Sequence, residues 1–260
     1  MNPEVEQILL DLNRDFYTRF GRAFALTRQR IQPGVRRVLE RLPDDGTWLD
    51  LGCGNGALAL AWLESGRQSQ YIGLDVSEPL LHEAREITGA WLAQHLQAEE
   101  MPVPRVIFLQ GDLGREDWVE VLENQKVEGA LAMAVLHHLP GEARRQRFVR
   151  QVRSLLPVGG WFVFSVWQVR NSPRLMARRQ PWERIGLTQE DVEAGDMLLD
   201  WRFALPDQEE QSGLRYVHGF DMAEIERLAR GGGFEIMESF ESDGHGGRLG
   251  WYHLCRAAGV

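Results

Sequence analysis

The chain predicts a doubly wound, Rossmann-like α/β fold on three observations. Short apolar runs alternate with helical stretches from residue 47 onward, as in successive βαβ units on a parallel sheet. The first run leads into a glycine-rich turn, Asp50-Leu51-Gly52-Cys53-Gly54-Asn55-Gly56, where missing Cβ atoms let the backbone bend sharply and approach a ligand. Two stretches, 1–42 and 168–219, stand outside this rhythm. They are expected to form an N-terminal helical lid and a substrate cap, around a core of 43–167 that 220–260 completes.

Taken in order, Thr47–Leu51 is the first buried strand, and Ala57–Glu64 the helix after the glycine turn. Tyr71–Asp75 is the second strand. A helix over Pro79–Gln97 follows, with Pro79 at its first turn and Ser77 as cap. Val106–Leu109, Val127–Met133 and Trp161–Trp167 are the next strands, separated by helices at Glu116–Leu122 and Gly141–Leu155. Pro157-Val158-Gly159-Gly160 turns the chain into the fifth strand. A helix at Met222–Arg230 stops at Gly231-Gly232-Gly233, before strands at Phe234–Ser239 and Trp251–Cys255. An insertion after the fifth strand falls at the carboxyl edge of the sheet, where open α/β folds bind ligands.

Composition bounds the function class. A chain of 260 residues, 43% hydrophobic and 26% charged, supports one large core plus an insertion. No apolar run approaches the roughly 20 residues that span a bilayer, and Met1 to Asp11 shows no signal-peptide pattern. Cys53 and Cys255 alone give neither a disulfide framework nor metal-ligand spacing. No membrane, no metal and a reducing cytoplasm are therefore expected. The net charge of −9 argues against strong stand-alone nucleic-acid binding. Locally the picture differs. Lys126 is the one lysine, and arginines cluster over Arg14–Arg41 and Arg170–Arg184. Solvated helix faces account for such clusters; so do two basic flanks of a phosphate-accepting pocket.

The glycine turn differs from the dinucleotide fingerprint G-x-G-x-x-G in spacing and in its leading acid. Asp50 suits a cationic ligand group better than a pyrophosphate, and a sulfonium with an α-ammonium fits it. The residues resemble motif I of class I S-adenosylmethionine (SAM)-dependent methyltransferases. Asp75 lies twenty-five positions on, at the end of the second strand, where an acid accepts both ribose hydroxyls. Gln110-Gly111-Asp112-Leu113 follows the third strand, and Val127 to Leu139, with its His137-His138 pair, matches the fourth. The resemblance implies a seven-stranded sheet with the last strand antiparallel. It also implies SAM held by Tyr17, Asp50, Gly52, Cys53, Gly54, Asp75, Val76, Ser77, Asp112, Leu113, Met133 and Ala134.

A narrower resemblance covers Tyr17 to Arg256. Tyr17, Phe24, Thr27-Arg28 and Pro33, then Ser165-Val166-Trp167, Gly195 to Trp201, Arg215 to Phe220 and Gly250 to His253 are similar to the tRNA wobble-uridine carboxymethyl methyltransferases. Arg30-Ile31-Gln32 replaces that family's tryptophan, and Gln168-Val169 its acidic-amide pair, so the acceptor stays open while the reaction type does not. The implied chemistry is O-methylation of a carboxylate, which is ionised near neutral pH and needs no general base. It needs alignment and a cation. Arg28, Arg215 and His218 are the candidate catalytic residues, converging on the mouth of the SAM pocket. The implied partner is tRNA, with a small activator protein as a further candidate. A small carboxylic acid is the alternative acceptor, and a non-catalytic SAM-binding subunit the alternative function.

Overall fold

The computed structural model describes residues 1–26, 31–95, 104–123, 125–203 and 210–259. Helices α1 (Pro3–Leu26) and α2 (Pro33–Leu39) precede β1 (Thr47–Leu51), α3 (Ala57–Glu64), β2 (Gln70–Asp75), α4 (Glu78–His95) and β3 (Val106–Gln110). Then come β4 (Gly129–Met133), α5 (Glu142–Leu155) and β5 (Trp161–Trp167). A short α6 (Pro173–Met176) leads to β6 (Arg179–Gln180), β7 (Asp196–Phe203) and β8 (Gln211–His218). Helix α7 (Met222–Gly231) and strands β9 (Phe234–Ser242) and β10 (Gly250–Ala257) finish the chain.

The main sheet has seven strands in the order β3-β2-β1-β4-β5-β10-β9. Strands β1 to β5 pair in parallel, whereas β10 runs antiparallel to β5 and to β9. The order reverses between β1 and β4, so a crevice opens there at the carboxyl ends. One face is covered by α5 and α7, with Phe148, Val149, Val152, Ile225 and Leu228 packed on Leu49, Ile72, Phe162 and Phe164. The other is covered by α2, α3 and α4, around Trp48, Trp62, Tyr71, Leu81 and Tyr252. Buried Arg145, Phe148, Val149 and Val152 on α5 fall at i, i+3, i+4 and i+7, the spacing of one helical face. The Asp221 carboxylate caps α7 by accepting from the Glu224 N–H.

Three details differ from the sequence expectation. Glu116–Leu122 is not an α-helix; only Trp118–Leu122 coils, as a tighter 3-10 turn. The strand expected from Val127 starts at Gly129. The stretch with no legible period contains a second, three-stranded sheet of order β6-β7-β8. Residues Asp196 to Trp201 of β7 are buried on both faces, and a strand covered on both sides has no polar-apolar alternation to read. One face of this sheet packs through Leu198 and Tyr216 on Val5 and Leu9 of α1. The other packs through Met197, Leu199 and Val217 on Trp167 and Val169 at the end of β5.

Gly56 starts α3 at a left-handed φ of 77°. A Cβ there would lie 2.7 Å from the Ala84 Cβ and 2.9 Å from its Cα, so α3 and α4 would have to separate. Gly56→Ala should keep the fold but lower unfolding free energy by about 1–3 kcal/mol, read by urea titration.

Candidate functional site

The crevice at the switch point is a cleft of about 270 Å³. Its floor is the turn after β1, whose backbone is fastened by Gly52 and Cys53 N–H groups donating to the Leu74 carbonyl at 2.7 and 3.0 Å. Gly54 has φ 55°, and a Cβ built on it would meet nothing within 4 Å, so this glycine opens the floor to the cleft. Asp75 ends β2 beside it. Its Oδ2 accepts from the Gly54 N–H and its Oδ1 from the Ser77 N–H, both at 2.9 Å. Burial raises the Asp75 pKa above the usual carboxylate range, and the N–H donors of Ser77 and Gly54 oppose that rise.

Tyr17, Gly52, Gly54, Asp75, Val76, Asp112, Leu113, Met133 and Ala134 all line the cleft. Asp50, Cys53 and Ser77 do not; they lie behind its wall and shape the loop. Asp50 is buried and accepts a hydrogen bond from the Tyr71 hydroxyl. Burial, opposed by that bond and reinforced by Asp75, pushes its pKa up to about 7. The Cys53 thiol is pushed well above its ordinary value by burial and then by Asp75 and Asp50, so it stays an unreactive thiol. Ser77 contributes its backbone N–H.

The roof is α1. Leu10, Asn13, Arg14, Tyr17 and Gly21 line the cleft at the spacing of a single helical face. That spacing is the sequence signal for Leu10, Asn13 and Gly21, which motif matching does not reach. Arg14 donates from Nε and Nη2 to Asp112 Oδ2 at 3.1 and 2.7 Å, bolting the roof to the turn after β3. Glu6 makes a second bolt, accepting from Arg144 of α5 at 2.9 Å.

At the β4 end the cleft is walled by Ala134, His138 and Trp167. Ala134 adopts φ 60°, a left-handed conformation that costs a non-glycine residue about 1–3 kcal/mol; its N–H donates to the Ser165 carbonyl and hydroxyl oxygens. The Tyr216 carbonyl lies 3.1 Å from His138 Nδ1, which must therefore donate. In the neutral ring Nε2 is then the acceptor for the Tyr17 hydroxyl at 2.8 Å. Arg215 stands directly behind. Its guanidinium lies 4.8 Å from the Trp167 ring centre and 5.6 Å from that of Phe16, and it donates to the Tyr17 oxygen.

Arg215 and His218 are not brought together. They lie three positions apart on β8, and strand side chains alternate faces, so an odd offset sends them to opposite sides. His218 points into a buried cage instead. Its Nδ1 is 2.6 Å from Asp196 Oδ1 and its Nε2 2.9 Å from Glu224 Oε2. Arg145 donates to Glu193 at 2.6 Å and to Glu224 at 2.9 Å. Glu193, Asp196 and His218 present ligand atoms within 4.8 Å of one another. However, Arg145 and a histidine donating from both nitrogens already pair with the acids a cation would need. Arg28 lies outside the described residues.

Residues 24–239 match the model of the methyltransferase domain family. The chain belongs to that family. The methyltransferase is 28% identical over 165 residues to the tRNA (carboxymethyluridine(34)-5-O)-methyltransferase of Arabidopsis thaliana, covering 64% of this chain and 34% of that protein. It therefore spans about a third of the plant relative's length. A Schizosaccharomyces pombe protein of the same description is 25% identical over 237 residues, covering 85% of this chain and 88% of that one. A SAM-dependent methyltransferase from Clostridium acetobutylicum, 15% identical, shares the fold with a TM-score of 0.62 over 94% of this chain and 99% of that one. No helix among the described residues is long and apolar enough to cross a membrane.

SAM is the cofactor of this methyltransferase, and the cleft fits it. The site sits on the carboxyl ends of β1, β2 and β4, with an open glycine floor for close backbone approach and the Asp75 carboxylate in its lining. Asp75→Ala removes two charge-assisted bonds that shape the loop beside the cleft, each worth roughly 1.5–3 kcal/mol. Calorimetry should show SAM affinity falling at least about tenfold.

Asp50 gives a stability prediction. Its folded pKa of about 7 exceeds the ordinary 3.8, so it favours the fold below the lower value and that contribution is lost as pH rises through the higher one. Asp50→Asn keeps an acceptor for Tyr71 without a buried charge. Urea unfolding of the wild type should weaken relative to this variant between pH 5 and 8, by an amount that grows with pH.

Proposed function

We propose that the protein O-methylates a carboxylate on a modified tRNA wobble uridine. The observation that carries the reading is Arg215, a buried cation one side chain behind the acceptor end of the cleft, held by Tyr17 and Trp167. The activity for which the plant and fission-yeast relatives are named supports the same acceptor.

Bound SAM supplies a methyl group made electrophilic by its sulfonium. The chain's own residues then have to hold and align the acceptor. A carboxylate is already ionised near neutral pH, so no side chain need take a proton from it. The positive field of Arg215 favours an anion at the Trp167 end. The half-buried Tyr17 hydroxyl, fixed between Arg215 and His138, is a polar group of the cleft lining beside that end. Arg170, Arg174, Arg179 and Arg184 are exposed around the cap and offer phosphate contacts. The net charge of −9 and the roof over the cleft favour a second reading, in which the acceptor is a small carboxylic acid.

Labelled-SAM methylation of bulk tRNA, followed by nucleoside analysis, separates the two. The expected result is a methyl ester on a wobble uridine, while transfer to small acids alone supports the second reading. Arg215→Ala should slow transfer by orders of magnitude and leave SAM affinity nearly intact. Removing several cap arginines should flatten the salt dependence of tRNA binding by about 0.7–0.9 log units per lost contact.

A further inference from the structure

Outside the cleft, the ionic cage around His218 joins the cap to two helices of the core. His218 is buried, and charged or titratable groups face it from four elements. Asp196 of β7 lies 2.6 Å from Nδ1, with Glu193, just before that strand, at 3.8 Å. Glu224 of α7 holds Nε2 at 2.9 and 3.0 Å. Arg145 of α5 closes the far side through Glu193 and Glu224, and the Tyr216 hydroxyl of β8 donates to Asp196 Oδ1 at 2.7 Å. The Phe220 ring stands edge-on, 4.7 Å away. A neutral imidazole has one N–H, so a ring with carboxylate oxygens at both nitrogens is an imidazolium.

The cage is mechanically connected to the acceptor end of the cleft. Asp196 Oδ1 takes bonds from both His218 and Tyr216. The Tyr216 carbonyl receives His138 Nδ1, and the residue before it, Arg215, reaches Tyr17 and Trp167. We propose that His218, as an imidazolium, is a positioning residue for methyl transfer: it pins the end of β8, and with it Arg215 and the Tyr216 carbonyl, against the cleft. Loss of its proton leaves three carboxylates facing Arg145 alone in a buried place, a poorly compensated arrangement, and the strand loosens. Burial works against the charge, but the bonds to Asp196 and Glu224 outweigh it and hold the pKa above 6.5. The pin is therefore set below that value and released as pH rises through the raised one.

The test follows amide exchange at Tyr216, Val217 and His218 and the His218 ring signals by NMR from about pH 6 to 10. SAM affinity and acceptor KM on tRNA are measured alongside. In the wild type the protection of these amides should fall about tenfold as the ring titrates, and acceptor KM should climb with it while SAM affinity holds. His218→Gln should show low protection and high KM at every pH, with no alkaline limb of its own. Glu224→Gln, which keeps the ring but removes one anionic partner, should move the ring titration and the alkaline limb together to lower pH. A ring titrating at or below 6.5, protection and KM that stay flat while it titrates, or a Glu224→Gln ring shift without a shift in the limb each overturns the proposal. The methylation arm rests on the tRNA reading. The exchange and ring arms do not, so failure of the acceptor assignment is distinguishable from failure of the pin.

Discussion

The Asn13 carboxamide, halfway along α1, pairs with the outer edge of a strand at Tyr216. Strand β8 is the outer strand of the cap sheet, and an outer strand carries N–H and C=O groups with no ladder partner. Asn13 Oδ1 accepts from the Tyr216 N–H at 2.8 Å, and its Nδ2 donates to the carbonyls of Tyr216 and His138, each at 3.2 Å. A helix side chain thus stands in for a neighbouring strand. Lid, cap and the turn after β4 share one fixed point, and Tyr17 lies one helical turn further on. Buried amide groups left without partners cost about 1–3 kcal/mol each, so these segments keep their relative positions together or not at all.

Arginine serves two distinct purposes in this chain. Arg14, Arg37 and Arg41 make partly exposed pairs with Asp112 and Glu238, a class of contact worth about 0–1 kcal/mol apiece. They tack the N-terminal helices to the core without committing much stability to any one contact. Arg145 and Arg215 are buried, where losing a partner is several times more damaging. The buried pair sits on the two sides of the cap sheet. One guanidinium, among acids, joins the cap to two core helices; the other, among aromatic rings, stands behind the cleft wall. An arginine count cannot make that distinction, because the partners come from distant parts of the chain.

The parts of the molecule with a regular period were legible in the sequence. Thr47–Leu51, Ala57–Glu64 and Trp161–Trp167 have the limits their apolar patterns indicate, since each has a glycine turn or a sheet end to stop it. The glycine floor and Asp75 followed from local chemistry. The cap did not, for β7 is buried on both faces and β6 is two residues long. Nor did the separation of Arg215 from His218, although strand alternation alone implies it once β8 is known to be a strand. Asp50, the leading acid of the glycine motif, stands behind the wall rather than in it. Arg145 left a trace: a charged residue on the apolar stripe of α5 signals a buried partner, but not which one.

The Asn13 to Tyr216 contact spans 203 positions of sequence. Such a contact is reached late, because loop closure has to precede it. On the ribosome α1 emerges before the cap strands that Asn13 joins. The sheet core, with its shorter connections, assembles in the meantime. Val5 and Leu9, which pack on Leu198 and Tyr216 of the cap sheet, complete their burial only when those strands arrive. The segment that encloses the cleft therefore finishes its packing late, and its cap-facing apolar side chains are the ones a folding chain leaves open to chaperones and to aggregation until then.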